Sequence, residues 1–415
     1  MKPLFYFRCA IAVTLALASS IDARPRPNDQ QALAAPRAEL VESAGTPPND
    51  TAKFLAGMPI DPRSSLAPLA QTPAWQQHAA FFETQFAKLT NGKFSKLHLW
   101  QDANVPELKD PIPVVYYMFS GPDFLYVDQF LPNASTYIMC GKEALGPAPD
   151  PLKIDIGYVS AALQNLENAM KSSLTATYFV TQDMKVDLQR QELNGTLPIL
   201  YVFLARADKS IRDVVFVSLD HGGGLHQSAA GRGGTPGVHI TYVDNASGRQ
   251  QELFYFTTDI SDGGIAANPG FMKFCEQHGT GASFLKSSSY LLFENGFNRV
   301  REFLLAKSNV IVQDDSGIPI NYFDPNKWNV RLYGTYVGPI ELFKQHYQPK
   351  LAELYQRTNP MEFGIGFGYQ WDYRKSNLII AERGERAREE PQGKAERKRR
   401  DGIGRIFSLN ESDKR

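Results

Sequence analysis

Short apolar runs that stop at glycine or aspartate recur through the middle of this chain, and stretches with apolar residues at helical spacing separate them. Pro113 to Phe119 halts at Gly121 and Pro122, Thr136 to Cys140 at Gly141, and Val214 to Leu219 at Asp220. Runs apolar at successive positions are buried on both faces, as are strands of a sheet covered by helices. Thr72 and Pro73 open a helix whose stripe is Trp75, Ala79, Phe82, Phe86 and Leu89, with Asn91 and Gly92 as its stop. His78 shares that stripe and reads as a packed core histidine. A second helix is expected from near Asp155, carrying Ile156, Val159, Leu163, Leu166 and Met170. Others are expected from Asn268 and Pro269 to Gly279, and from Phe297 to Lys307.

Val238 to Val243 and Leu253 to Thr258 flank a polar turn and predict an antiparallel hairpin. Ser289 to Phe293, the helix after it and Val310 to Val312 predict a βαβ unit. A turn at Asp315, Ser316 and Gly317 is expected to lead into a strand from Ile318 to Phe323, and Tyr369, Trp371 and Tyr373 alternate as in a strand. The expected fold is α/β, with a mixed, largely parallel sheet, flanking helices and antiparallel additions. No repeat that would indicate a solenoid or propeller is visible.

The ends read differently. Lys2 and Arg8 precede the apolar run Cys9 to Ala18 and the small residues Ser19, Ser20 and Ala23, the order of a secretory signal spanning residues 1–23. That run is too short for a permanent membrane helix, and no transmembrane anchor is expected once it is removed. Residues 24–50 hold Pro25, Pro27, Pro36, Pro47 and Pro48 among polar residues and read as a flexible linker. Residues 51–381 are expected to form one large domain, and the charged segment 382–415 to be a disordered tail. The chain of 415 residues is 43% hydrophobic and formally neutral, so it can bury a core and offers no general attraction for nucleic acid. Cys140 and Cys275 remain after signal removal, and their spacing leaves a bridge and two separate buried thiols equally open.

The stretch FSGPDFLYVDQFLPNASTYIMCGKEALG, Phe119 to Gly146, resembles one found in exported bacterial proteins to which no activity is assigned. The resemblance covers under a tenth of the chain. It implies export to the periplasm or the medium, and no catalytic residues.

In open α/β sheets ligands collect beyond the carboxyl ends of the strands. Reactive side chains at expected strand ends are Asp123, Glu143, Asp220 with His221, and Asp314 with Asp315. The segment from Asp220 to His239 is the richest: Asp220, His221, three glycines, His226 and then His239. Carboxylate and imidazole are good ligands for a divalent metal such as zinc, which would activate water, with Asp123 as a general base. Against this, Asp-His pairs also form plain turns, His239 alternates with Thr241 and Val243 along a strand, and Asp123 stands where it would cap a helix. Tyr369, Trp371 and Tyr373 are either core or a row of rings able to stack on sugars or lipid-like ligands. Two functions follow as expectations: a binding or accessory protein for a cell-envelope component or small-molecule ligand, or an extracytoplasmic metal-dependent hydrolase built on Asp220, His221, His226 and His239.

Overall fold

The computed structural model describes residues 46–176, 178, 192–228 and 234–384. The expected signal, most of the expected linker and nearly all of the expected tail lie outside these residues. The described body is an α/β fold built on one mixed sheet of ten strands in the order β4-β3-β5-β6-β2-β1-β7-β8-β10-β9. They are β1 Ile112–Tyr117, β2 Ala134–Gly141, β3 Lys209–Leu219, β4 Leu225–Gln227, β5 Thr235–Asp244, β6 Gln250–Thr257, β7 Gly281–Leu285, β8 Ser308–Gln313, β9 Trp328–Gly334 and β10 Asn377–Arg383. The five central strands, β6, β2, β1, β7 and β8, run parallel. Both flanks are antiparallel: β4, β3 and β5 beside β6, then β10 and β9 beside β8.

Eleven helices are described: α1 Pro48–Leu55, α2 Ala67–Ala70, α3 Pro73–Lys88, α4 Ser95–Asn104, α5 Phe124–Phe130, α6 Val159–Ala176, α7 Leu197–Arg206, α8 Asp262–Ala267, α9 Gly270–Gln277, α10 Asn298–Lys307 and α11 Pro349–Thr358. Successive strand residues point to opposite faces, so each central strand feeds two cores. Val115 and Tyr117 of β1 join Phe82 of α3, Leu166 of α6 and Leu200 of α7 in one cluster. Val114 and Tyr116 join Cys275 of α9, Leu304 of α10 and Leu351 of α11 in the other. No helix among the described residues is long and apolar enough to cross a membrane.

Local chemistry explains where the elements begin. Thr72 Oγ1 accepts the Trp75 amide and caps α3. His78 is buried, with Nδ1 2.8 Å from Glu167 Oε1 and Nε2 2.8 Å from the Leu55 carbonyl, so one imidazole ties α3 to α6 and α1.

Several expectations are corrected. Asn91 and Gly92 do not stop the helix; a π-turn, Leu89–Phe94, carries the chain on into α4. Ile156 lies ahead of α6 and is exposed. Ser289 to Phe293 is a loop and a 3-10 turn, and the βαβ unit is β7-α10-β8. Ile318 to Phe323 contains a 3-10 turn, and around Tyr369 only an isolated bridge, Phe367 to Gln370, forms. At the domain edges α1 begins at Pro48, inside the expected linker, and β10 continues to Arg383, inside the expected tail.

Candidate functional site

Where β1 ends, the chain turns sharply. Phe119 and Gly121 both have positive φ, and Asp123 then stands at the N-cap of α5. Its side chain makes no cap bond to the helix amides and turns instead toward the strand ends. Asp123 Oδ2 accepts the Tyr117 hydroxyl at 2.9 Å and lies 2.6 Å from Lys286 Nζ, on the first residue after β7. The same ammonium sits 3.7 Å from the centroid of the Tyr126 ring, which its positive charge favours. Both members of the ion pair are 2% exposed. Burial raises the Asp123 carboxyl and the charge of Lys286 opposes it; burial lowers Lys286 and Asp123 opposes that. Each is thereby moved toward its neutral form, the condition for a proton to pass between them.

The backbone after Lys286 is unusual. Ser287, Ser289 and Tyr290 all occupy the left-handed region, at φ of 53°, 52° and 55°. Non-glycine residues hold this conformation only when their surroundings enforce it, and such strain gathers at functional sites. Here the enforcement is visible. The Ser287 amide donates to Asp314 Oδ2 at 3.2 Å and the Ser288 amide to Ser316 Oγ at 2.7 Å. The Tyr369 hydroxyl donates to the Ser287 carbonyl at 2.9 Å, and Tyr290 donates to Asp315 Oδ2 at 2.7 Å. Asp314 and Asp315 are themselves buried at the end of β8. Burial, and then the neighbouring Asp315, push the Asp314 carboxyl up to about 7.

These strand ends surround a crevice of about 330 Å³. Its polar wall includes Asp123, Glu143, Thr258, Lys286 and Ser287 to Ser289; Phe119, Phe297, Tyr178 and Tyr369 supply rings. Gly141 is needed at the end of β2, because a Cβ there would lie 2.4 Å from Glu143 Oε2 and 2.6 Å from the Tyr255 hydroxyl. Asp123 Oδ1, Ser287 Oγ and Ser288 Oγ are buried with no hydrogen-bond partner among the described residues. Buried polar atoms are rarely left so, and three beside one crevice supply binding capacity for a guest. Cys140 also lines it; both Cys140 and Cys275 are free and buried, and burial pushes the Cys140 thiol up to about 12.

Of the residues picked from sequence, Asp123 and Glu143 belong to this crevice, and Asp314 braces it. The proposed metal ligands do not come together. Asp220 and His226 do meet, 2.7 Å apart, on the exposed β3-β4 hairpin, where the Gly222 and Gly224 amides already bond Asp220 Oδ1. The His226 contact, and then the Gly224 amide, hold Asp220 down at about 2. His226 pairs across from Ser218 and His239 across from Val215. Ser218 and Val215 are three residues apart on one strand, so the two imidazoles project from opposite faces of the sheet. His239 stacks on Phe254 with ring centroids 4.2 Å apart, near Glu252, and His221 contributes its carbonyl to Lys273. No group of three His, Cys, Asp or Glu side chains among the described residues is arranged to hold a metal ion. The expectation of a zinc centre from Asp220, His221, His226 and His239 is therefore corrected by the pleat of β3.

Sequence reading passed over Lys286 and the serines after it. The available signal was weak: Phe284 and Leu285 follow the small residues Gly281, Ala282 and Ser283 and are followed by lysine and three serines. The row of rings also divides: Tyr369 faces the crevice, whereas Trp371 and Tyr373 are exposed. Compared with models of known protein families, with curated proteins and with solved structures, the chain matches none.

Proposed function

We propose that this chain is an exported binding protein that takes a small, uncharged, hydroxyl-rich component of the cell envelope into the crevice above β1, β2 and β7. The observation that carries the reading is the set of buried atoms Asp123 Oδ1, Ser287 Oγ and Ser288 Oγ, which have no hydrogen-bond partner among the described residues, beside the Asp123-Lys286 pair in the crevice wall. The charges of Asp123 and Lys286 offset each other at 2.6 Å, which favours an uncharged guest over a strong anion. Hydroxyls and a carboxylate oxygen offer directional bonds, and the rings of Phe119, Phe297, Tyr178 and Tyr369 offer apolar faces, the combination that suits a sugar-sized molecule. Export rests on the charge, apolar run and small residues at the N-terminus.

The test is thermal unfolding of the protein in the presence of a panel of monosaccharides and sugar alcohols. A ligand at one hundred times its Kd stabilises by about 2.7 kcal/mol, which a melting curve resolves. At least one panel member is expected to raise the midpoint, and Ser288→Ala and Glu143→Gln to weaken its binding. If no member binds, or if both variants bind it as the wild type does, the reading fails.

A further inference from the structure

We propose that Lys286 is a covalent site: its amine forms an imine with the carbonyl carbon of a small hydroxylated aldehyde or ketone held in the crevice. The inference rests on the crevice being the ligand site, and it narrows the class of ligand. Three features set Lys286 apart from a purely structural buried lysine. It forms part of the wall of a half-open crevice, although the residue itself is buried. Its Nζ touches one carboxylate oxygen, Asp123 Oδ2, which also accepts the Tyr117 hydroxyl, so an acceptor and a donor for protons meet at the atom that would react. A second amine is also close: Lys93 Nζ lies 3.2 Å from the hydroxyl of Tyr126, the residue whose ring Lys286 covers. Burial first, and then the charge of Lys286, lower Lys93 to about 8. Burial also lowers Lys286. A desolvated amine beside a second cation is the general means of keeping a lysine nucleophilic near neutral pH.

The chemistry closes without an oxidant or reductant. An ammonium proton passes to Asp123, and the freed Nζ lone pair forms a bond to the carbonyl carbon. The carbonyl π pair moves onto oxygen, which takes the proton back from Asp123. The second nitrogen proton and that hydroxyl then leave as water, and the nitrogen lone pair forms C=N. Return of water reverses each step. Asp123 carries the first proton from nitrogen to oxygen, and the Tyr117 hydroxyl stabilises its carboxylate once it is released.

Dihydroxyacetone with cyanoborohydride, which reduces an imine to a secondary amine, tests this on the intact protein by peptide mass mapping. A lowered amine carries a larger neutral fraction at a given pH, so Lys286 is expected to be trapped faster than surface lysines. Lys286→Met is expected to lose that adduct. Should this substitution prevent folding, as judged by circular dichroism, the wild-type map and the double variant Asp123→Asn with Lys286→Met decide. Adducts confined to surface lysines would overturn the imine. If a sugar alcohol, which has no carbonyl, still raises the melting midpoint in that case, the crevice reading stands alone; if none does, both fail.

Discussion

Lys286 Nζ lies 2.6 Å from Asp123 Oδ2, and both side chains are almost wholly withdrawn from water. Pairing two buried charges offsets much of their desolvation, whereas removing one strands the other. Asp123→Asn or Lys286→Met alone is expected to destabilise the protein by about 3–5 kcal/mol in urea unfolding. The double variant is expected to lose less than the sum of the two, which a double-mutant cycle reads directly. Additive losses would show that the two groups do not depend on each other.

Asp314 gives a pH signature. Its folded carboxyl is raised from 3.8 to about 7, so between those values the native state holds a proton that the unfolded chain has released. Stability linked to this group is therefore full below about pH 4 and falls as pH rises toward 7. Asp314→Asn is expected to make the slope of unfolding free energy against pH less negative by up to about 1.4 kcal/mol per pH unit in that window, whatever its fixed offset. Parallel profiles for variant and wild type would refute the assignment.

Gly368 approaches the same carboxylate. A Cβ there would lie 1.7 Å from Asp314 Oδ2 on backbone with φ of 63°. Gly121 also has positive φ, at 51°, but a Cβ there would meet nothing within 4 Å. Gly368→Ala is thus expected to cost about 3 kcal/mol or more, and Gly121→Ala only the conformational share of about 1–2 kcal/mol. Chemical denaturation of the two variants side by side checks the ordering.

The exposed Asp220-His226 pair stands at the end of β3, and β5 and β6 separate β3 from β2. At about 4.8 Å between strands this sets the pair roughly 10 Å from Thr258 at the end of β6, the nearest strand end of the crevice wall, and roughly 14 Å from β2. Asp220→Asn and His226→Ala, singly or together, are expected to leave ligand binding in the crevice unchanged in the same thermal titration. A large loss of affinity would show that the hairpin takes part.

Much of the architecture could be read from period alone, because β1, β2, β3, β5 and β6 are apolar runs with clear stops. Other elements gave no such signal. α7, Leu197–Arg206, is buried at nearly every position, so it has no polar face to betray a helical period. β7 is small-residue-rich at Gly281, Ala282 and Ser283, which drew attention away to the more apolar Leu291 to Phe293. That displacement hid Lys286, whereas Asp123 was legible because its strand end was. The histidines misled for another reason: closeness along a chain says nothing of which side of a pleat a residue faces, and a hairpin sent His226 and His239 in opposite directions.

The placement of β10 has a consequence for biosynthesis. It inserts between β8 and β9, which precede it in the chain and bond to it on either side. Until Asn377–Arg383 emerges from the ribosome, each of those two earlier strands presents an unfilled hydrogen-bonding edge open to foreign strands. Completion of the sheet, and with it the seating of Asn377 against Asp315 behind the serine loop, is thus a late event in synthesis. Nascent chains paused before this segment are the species most in need of a chaperone.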